Sequence, residues 1–139
     1  MIEIAVKDIE RVCDVQRKSG DENRICKGCV IDSRQVQPDS IFVAFSGERV
    51  DGNSFAPAAI EAGAGAVVLT IEPASDLIDL ANERGCALFT CEDPMEFLLS
   101  LAHHYRMDLN ATVIGVTGSI GKTTTKDSLA KMLACRYRV

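Results

Sequence analysis

The stretch Val113-Ile-Gly-Val-Thr-Gly-Ser-Ile-Gly-Lys-Thr-Thr-Thr-Lys126 decides how this chain is interpreted. The apolar, β-branched run Thr112–Val116 predicts a strand that is buried on both faces. A turn containing two glycines follows, and Lys-Thr then leads into a stretch with helical character. A strand, a glycine-rich turn and a helix in this order are typical of a phosphate-binding loop.

The residue types in this loop suit an anion. Gly118 and Gly121 allow backbone angles that a side chain would forbid, so that the amides can curl around a phosphate. Lys122 can reach the outer phosphates of a nucleotide, and the Thr123 hydroxyl can bind Mg²⁺. A helix that begins near Thr123 would point its N-terminal amides at the same phosphates.

The general pattern G-x-x-x-x-G-K-[ST] is not fully met. Its first glycine would fall at Val116, and Gly115 lies one place too early. An ordinary strand, turn and helix with a surface lysine is therefore the alternative interpretation. The order of strand, glycines, Lys-Thr and helix favours the phosphate-binding loop.

Two blocks of sequence carry a resemblance to a known family. The segment 117–126 resembles the ATP loop of the Mur ligases, T-G-[ST]-x-G-K-T-T, which lacks the first glycine. The segment 31–53 resembles the N-terminal Mur signature D-S-R-x-V-x-P-G-D-x-F-x-A-x-x-G-x-x-x-D-G-H, and 62–68 continues it. Together the matches cover most of residues 29–70 and 111–128. The ending Thr-Thr-Thr-Lys looks most like the branch of the family that adds D-alanyl-D-alanine.

The second block departs from the family signature at two places. Asp39-Ser40 follows Pro38, where the family usually has glycine and then aspartate. Asn53 stands where histidine is common. A role borrowed from that histidine is therefore in doubt, although asparagine can still donate and accept hydrogen bonds.

The resemblance implies ATP-dependent amide formation. In the family, the terminal carboxylate of UDP-MurNAc-tripeptide attacks the γ-phosphate to give an acyl phosphate, and the amine of D-alanyl-D-alanine then displaces phosphate. Lys122 and a Mg²⁺ ion on Thr123 would be catalytic, because they stabilise charge on the transferred group. The residues expected to bind ATP are Thr117, Gly118, Ser119, Gly121, Lys122, Thr123 and Thr124.

The resemblance also implies a UDP-substrate site in the N-terminal part of the chain. Its expected residues are Ser33, Arg34, Gly52 and Asn53. The Arg34 guanidinium can bind phosphate or carboxylate as a fork, although a plain strand end with a turn is the alternative for this segment. Asp51 is expected to shape its loop, since a carboxylate beside a diphosphate would be repelled.

Alternating strand and helix patterns predict an α/β fold. Residues 1–108 are expected to form a small N-terminal UDP-substrate-binding domain. Residues 109–139 are expected to form the first strand, phosphate loop and helix of a truncated ATP-binding central domain. Its strand would lack sheet neighbours, so that it could pack against the first domain or pair with another copy of the chain, and we expect the second outcome. We also expect no ligase activity from these residues alone, because later parts of the family are missing.

Local signals predict helix boundaries. Side-chain caps are expected at three helix starts, Ser54, Ser75 and Asp93. The last helix is expected to bury one face, formed by Leu129, Met132 and Leu133.

Composition restricts the partners. The net charge of −5 and the pI near 5.0 argue against a nucleic-acid or anionic-membrane surface. No apolar run approaches the roughly 20 residues of a membrane helix, and the N-terminus lacks signal-peptide features. We therefore expect a cytoplasmic protein without membrane insertion.

Two tempting metal sites are better explained otherwise. Cys26 and Cys29 form a CxxC pair, but structural zinc usually needs a second pair, so that free thiols are expected for the six cysteines. His103 and His104 are adjacent on a predicted helix, where their side chains point about 100° apart.

Three rival functions remain open. An amino-acid-adding Mur ligase would share both blocks. A phosphate-loop kinase or ATPase would not need the block from Asp32 to Asn53. A stand-alone nucleotide-sugar-binding module would need only the first domain.

Overall fold

The computed structural model describes residues 2–47 and 50–139. They form two compact units, one extending to Leu109 and the other running from Asn110 to Val139. The first unit contains seven strands and four helices, in chain order β1 Glu3–Ala5, α1 Val6–Val12, β2 Gln16–Ser19, β3 Ile25–Lys27, β4 Cys29–Val30, β5 Ile41–Val43, α2 Ala56–Glu61, β6 Ala66–Leu69, α3 Ser75–Glu83, β7 Ala87–Thr90 and α4 Pro94–Asp108. Short 3₁₀ turns precede β5 and α2, at Ser33–Gln35 and Gly52–Phe55.

The main sheet has five strands in the order β2-β7-β6-β5-β4. Strands β4 to β7 run parallel to their neighbours, and β2 pairs antiparallel with β7 at one edge. Strands β1 and β3 form a separate antiparallel ribbon. The predicted α/β fold is confirmed by this mixed, mainly parallel sheet.

Both faces of the sheet are covered by apolar layers. All four residues of β6, Ala-Val-Val-Leu, are buried, as expected of a strand inside a parallel sheet. Successive side chains of a strand point to opposite faces, so that Val68 joins a core with α1 and α4 residues and Val67 joins a core with α2 and α3 residues. The helices therefore leave the ends of the strands as the uncovered part of the sheet.

The predicted helix caps have mixed outcomes. The Asp93 cap is confirmed, because its carboxylate accepts hydrogen bonds from the amides of Met95 at 2.7 Å and Glu96 at 3.4 Å. The caps at Ser54 and Ser75 are wrong, since neither α2 nor α3 has a side-chain cap. The Ser54 hydroxyl instead donates to the carbonyl of Asp51 at 2.7 Å, because a 3₁₀ turn precedes the helix.

The second unit contains one helix, α5 Lys122–Ala134. The predicted strand at 112–116 is wrong for this structure, because within the described chain no segment forms a β-ladder with it. A strand is defined by hydrogen bonds to a neighbour, and this stretch is largely exposed without one. The predicted buried face of α5 is also not buried, as Met132 is 73% exposed.

No helix among the described residues combines the length and apolar character needed to cross a membrane.

Candidate functional site

The four predicted substrate residues lie at one edge of the sheet. Ser33 and Arg34 follow β4, and Gly52 and Asn53 belong to the loop that follows β5, the next strand in the sheet. The carboxyl ends of parallel strands meet at the same edge, which we call the carboxyl edge. Ligands of open α/β sheets bind outside this edge. The structure therefore brings the two predicted segments to a common location.

Arg34 is held by a neighbouring carboxylate. Its Nε and Nη2 donate to the two oxygens of Asp32 at 2.9 and 2.7 Å, and its backbone amide donates to Asp32 at 3.0 Å. These hydrogen bonds hold the pKa of the Asp32 carboxyl at about 2. The guanidinium is 87% exposed, and within the described chain its Nη1 has no hydrogen-bond partner. Arg34 is thus a fixed and accessible cation at the carboxyl edge.

Asn53 is the buried member of a cluster of polar groups at the surface, which we call the Asn53 cluster: Ser46, Asp51, Asn53 and Thr70. Its Oδ1 accepts from the Thr70 amide at 3.0 Å, and its Nδ2 lies 2.8 Å from Thr70 Oγ1, 2.7 Å from Asp51 Oδ1 and 3.2 Å from Ser46 Oγ. The residue is only 6% exposed. These contacts already occupy both amide hydrogens and the carbonyl oxygen of Asn53.

Asp51 shapes this loop. It accepts from the backbone amide of Asn53 at 3.0 Å, from its side chain, and from the Ser46 hydroxyl at 3.1 Å. Hydrogen bonds from the backbone and then the side chain of Asn53, and from Ser46, lower the pKa of Asp51. The carboxylate is therefore kept charged and turned toward its own loop.

Gly52 allows the loop to approach β5 closely. Its amide donates to the carbonyl of Phe45 at 2.9 Å. A Cβ at this position would lie 2.5 Å from that carbonyl oxygen and 2.7 Å from the Phe45 nitrogen. Glycine is thus required here by space between two backbones.

The Asp39 departure from the family signature has a structural explanation. Asp39 has φ of +66°, a left-handed conformation that suits the glycine found at that place in the signature. Its carboxylate pairs with Arg24 at 2.9 Å, and Arg24 also donates to the carbonyls of Arg84 and Gly85. Aspartate therefore keeps the turn and links three segments of the first unit.

The predicted phosphate loop lies in the second unit. Gly118 and Gly121 have φ of +147° and +81°, and Gly121 is the N-cap of α5. Space does not restrict them, since a Cβ would meet nothing closer than 3.9 Å, so that the positive φ is what favours glycine. Every residue from Thr117 to Thr124 is exposed.

Two features of this loop fit a phosphate. Helix α5 has no side-chain cap, so that the amides of its first turn are available to an anion. The Lys122 ammonium folds back over the loop and donates to the carbonyl of Gly118. The Thr123 hydroxyl is exposed at the start of the same helix, where a Mg²⁺ ion bound to phosphate could take it as a ligand.

Cysteine and histidine are further residue types in this chain that could bind a metal. No group of three or more ligating side chains suited to a metal occurs among the described residues. The six cysteines are free thiols, and burial raises the pKa of Cys13, Cys26 and Cys29 to about 11. His104 pairs with Asp108 at 3.3 Å on the same helix.

Sequence reasoning missed two members of the Asn53 cluster, Ser46 and Thr70. Both are small hydroxyl residues that follow buried strands, β5 and β6. A polar residue just beyond the carboxyl end of a parallel strand is the signal that could have identified them.

Comparison with known proteins gives a consistent result. Residues 26–106 match the family described as Mur ligase family, catalytic domain. The UDP-N-acetylmuramoyl-tripeptide–D-alanyl-D-alanine ligase of Bacillus subtilis is 36% identical over 140 residues, covering 100% of this chain and 29% of that protein. The UDP-N-acetylmuramoyl-L-alanyl-D-glutamate–2,6-diaminopimelate ligase of Haemophilus influenzae (strain 86-028NP) is 38% identical over 104 residues, covering 73% of this chain and 21% of that protein.

Among solved structures, the MurF ligase of Thermotoga maritima in complex with ADP is similar with a TM-score of 0.66 and 32% identity. That similarity covers 79% of this chain and 24% of the Thermotoga chain. The chain thus spans less than a third of the length of the relatives it matches.

Proposed function

The chain belongs to the Mur ligase family, and from that premise we propose that it forms part of an ATP-dependent ligase. The proposed reaction joins D-alanyl-D-alanine to UDP-MurNAc-tripeptide, a precursor of peptidoglycan. The similarity to the Bacillus subtilis ligase over the whole chain supports this choice within the family.

The observation that carries the proposal is the meeting of two predicted substrate segments at the carboxyl edge. We place the UDP part of the substrate there, against Ser33, Arg34 and the loop backbone at Gly52 and Asn53. Arg34 supplies a fixed cation with an accessible Nη1, and the Ser33 hydroxyl can donate or accept a hydrogen bond. A diphosphate carries the negative charge that such a cation attracts.

We place ATP at the second unit, on Thr117, Gly118, Ser119, Gly121, Lys122, Thr123 and Thr124. The uncapped start of α5 offers amides, and the Lys122 ammonium neutralises phosphate charge. The Thermotoga maritima relative was solved in complex with ADP, which supports an adenine nucleotide as a ligand. Thr123 would hold a Mg²⁺ ion, which would supply positive charge near the group being transferred.

The proposed reaction has two steps. A carboxylate oxygen of the tripeptide attacks the γ-phosphorus and displaces ADP, which gives an acyl phosphate. The amine of D-alanyl-D-alanine then attacks the acyl carbon, and phosphate leaves as the amide forms. Lys122 would stabilise the charge on the phosphoryl oxygens in the first step. Residues 1–139 alone are expected to bind substrate without ligase activity, and an assay that follows formation of the amide product tests this expectation.

Calorimetric titration of the chain with UDP-MurNAc-tripeptide tests the substrate site. Arg34→Ala is expected to weaken binding about tenfold or more, because it removes a charge-assisted contact. Arg34→Lys keeps the charge but not the forked guanidinium, and its affinity should lie between those of wild type and Arg34→Ala. Arg11→Ala is a matched control, since Arg11 is also an exposed arginine paired with a nearby aspartate, Asp8. Equal affinity of wild type and Arg34→Ala would remove Arg34 from the site.

Titration with ATP and Mg²⁺ tests the loop separately. Lys122→Ala should abolish measurable binding, because the loop loses its only cation beside the helix start. Lys126→Ala is the matched control, since Lys126 lies one turn further along α5 and pairs with Asp127 at 2.9 Å. Binding that is lost equally in both variants would point to general attraction of an anion by the helix.

An amino-acid-adding ligase of the same family is the second candidate. The 38% identity to the Haemophilus influenzae ligase favours it specifically. Parallel titrations with UDP-MurNAc-tripeptide and UDP-MurNAc-L-alanyl-D-glutamate separate the two, and tighter binding of the shorter peptide would favour the second candidate. Either activity uses ATP and a nucleotide-linked sugar, and we therefore propose a cytoplasmic location.

A further inference from the structure

We propose that Thr70 and Ser46 are positioning residues for the substrate site, acting through Asn53. This inference rests on the proposed function, and it assigns Asn53 the role of holding a loop in place. The loop is defined here by its described residues, 46–47 and 50–54, and it carries Gly52 at the carboxyl edge.

The contact between Asn53 and Thr70 is made in two directions. The Asn53 Oδ1 accepts from the Thr70 backbone amide at 3.0 Å, and the Asn53 Nδ2 donates to Thr70 Oγ1 at 2.8 Å. The amide of Thr70 directly follows β6, where a parallel strand would otherwise need a partner. The Asn53 side chain thus takes the place of a neighbouring strand beyond the end of β6, and it ties the loop after β5 to that end.

The rest of the cluster closes the loop on itself. The Ser46 hydroxyl lies 3.3 Å from Thr70 Oγ1 and donates to Asp51 at 3.1 Å. Ser46 and Asp51 also form an isolated antiparallel bridge, so that the loop returns to the end of β5. Hydrogen bonds in a closed network favour one arrangement of the backbone, and this network centres on the buried side chain of Asn53.

These contacts indicate what Asn53 does at the position where histidine is common in the family. A side chain that is 6% exposed and has used its donors and acceptor has little left to give a ligand. Its effect on the substrate therefore passes through the backbone of Gly52 and its neighbours. Histidine, common at this place in the family signature, also offers one ring donor and one ring acceptor for the same two groups of Thr70.

The test uses three variants of the whole chain and one matched control. Thr70→Val removes Oγ1 and keeps the shape and the backbone amide, and Thr70→Ser restores a hydroxyl. Asn53→Asp keeps an acceptor for the Thr70 amide but places a second carboxylate beside Asp51. Thr90→Val is the control, because Thr90 ends the adjacent strand β7 and is half-buried, and its hydroxyl has no hydrogen bond within the described chain.

Two readouts are measured well below the melting temperature. Affinity for UDP-MurNAc-tripeptide should fall about fivefold in Thr70→Val, as for one lost hydrogen bond, and more than tenfold in Asn53→Asp. Thr70→Ser and Thr90→Val should stay within about twofold of wild type. Hydrogen exchange of residues 46–47 and 50–54 should accelerate in Thr70→Val and Asn53→Asp alone, because the loop opens more often.

The outcomes separate the two proposals. If the unaltered chain binds no UDP-MurNAc-tripeptide, the proposed function is overturned, and exchange alone then decides whether the cluster holds the loop. If the unaltered chain binds and Thr70→Val binds equally well, the positioning role is overturned while the proposed function stands. Unchanged exchange of residues 46–47 and 50–54 in Thr70→Val would overturn the role of the cluster in holding the loop.

Discussion

Replacing Gly52 with alanine tests the close approach of the substrate loop to β5. The added Cβ would lie 2.5 Å from the Phe45 carbonyl oxygen, so that the loop must retreat by about 0.5 Å or more to bring this contact to 3.0 Å. Such overpacking costs about 1–3 kcal/mol. The retreat also weakens the Gly52 to Phe45 hydrogen bond of 2.9 Å, at about 0.5–1.5 kcal/mol.

The loss is partly offset by the unfolded state. Alanine restricts the unfolded chain more than glycine does, and this lower entropy of the unfolded state offsets about 0.4–1 kcal/mol of the destabilisation. The net expectation is a destabilisation of about 2 kcal/mol, which corresponds to a melting temperature lower by about 10 °C for a domain of this size. Calorimetric melts of the chain measure it directly.

Gly47→Ala is the matched control for this experiment. Gly47 lies in the same loop, and a Cβ there would meet only the Val50 carbonyl oxygen, at 3.4 Å. This variant should melt within about 2 °C of wild type. The reasoning would be refuted if Gly52→Ala melted as high as Gly47→Ala, because the backbone approach would then be tolerant of a side chain. Gly52→Ala should also bind UDP-MurNAc-tripeptide more weakly.

Three further predictions concern charge, thiols and assembly. Hydrogen bonds from Arg34 lower the pKa of Asp32 to about 2, from its ordinary 3.8. The contribution of this pair to the stability of the folded chain is therefore present above pH 4 and is lost as the pH falls toward 2. An NMR titration of the Asp32 carboxyl with a midpoint near 3.8 would contradict this. Cys135, the exposed thiol, should react first with a thiol reagent at pH 8, whereas the buried thiols should react only after denaturation; fast reaction of several thiols would contradict their burial. The exposed apolar residues 112–116 should drive concentration-dependent association, and sedimentation as a monomer at high concentration would argue against it.

The strands that were predicted best from the sequence are those marked by an apolar pattern within the strand itself. Strands β6 and β7 are continuous apolar runs between helix signals, and the structure confirms both. The edge strand β2 reads Gln-Arg-Lys-Ser, which has no apolar pattern, and only its backbone pairing with β7 makes it a strand. The predicted strand at 112–116 shows the reverse case, because a suitable apolar run has no neighbour with which to pair.

The candidate site depends on contacts between distant parts of the chain. The resemblance suggested Asn53, but its partner Thr70 is 17 residues away and meets it only because β5 and β6 are adjacent in the sheet. The predicted helix cap at Ser54 failed for a local reason, because a 3₁₀ turn held by Asp51 replaces the first turn of the expected helix. Local patterns therefore indicated the elements, and topology decided which polar groups meet.

Mapping the substrate by NMR tests the central claim most directly. The amide resonances of the chain are followed while UDP-MurNAc-tripeptide is added. The account predicts saturable shifts concentrated at the carboxyl edge, in Ser33–Gln35 and Gly52–Phe55, which Arg34→Ala weakens. The absence of saturable shifts, or shifts confined to residues away from that edge such as α4, would contradict it.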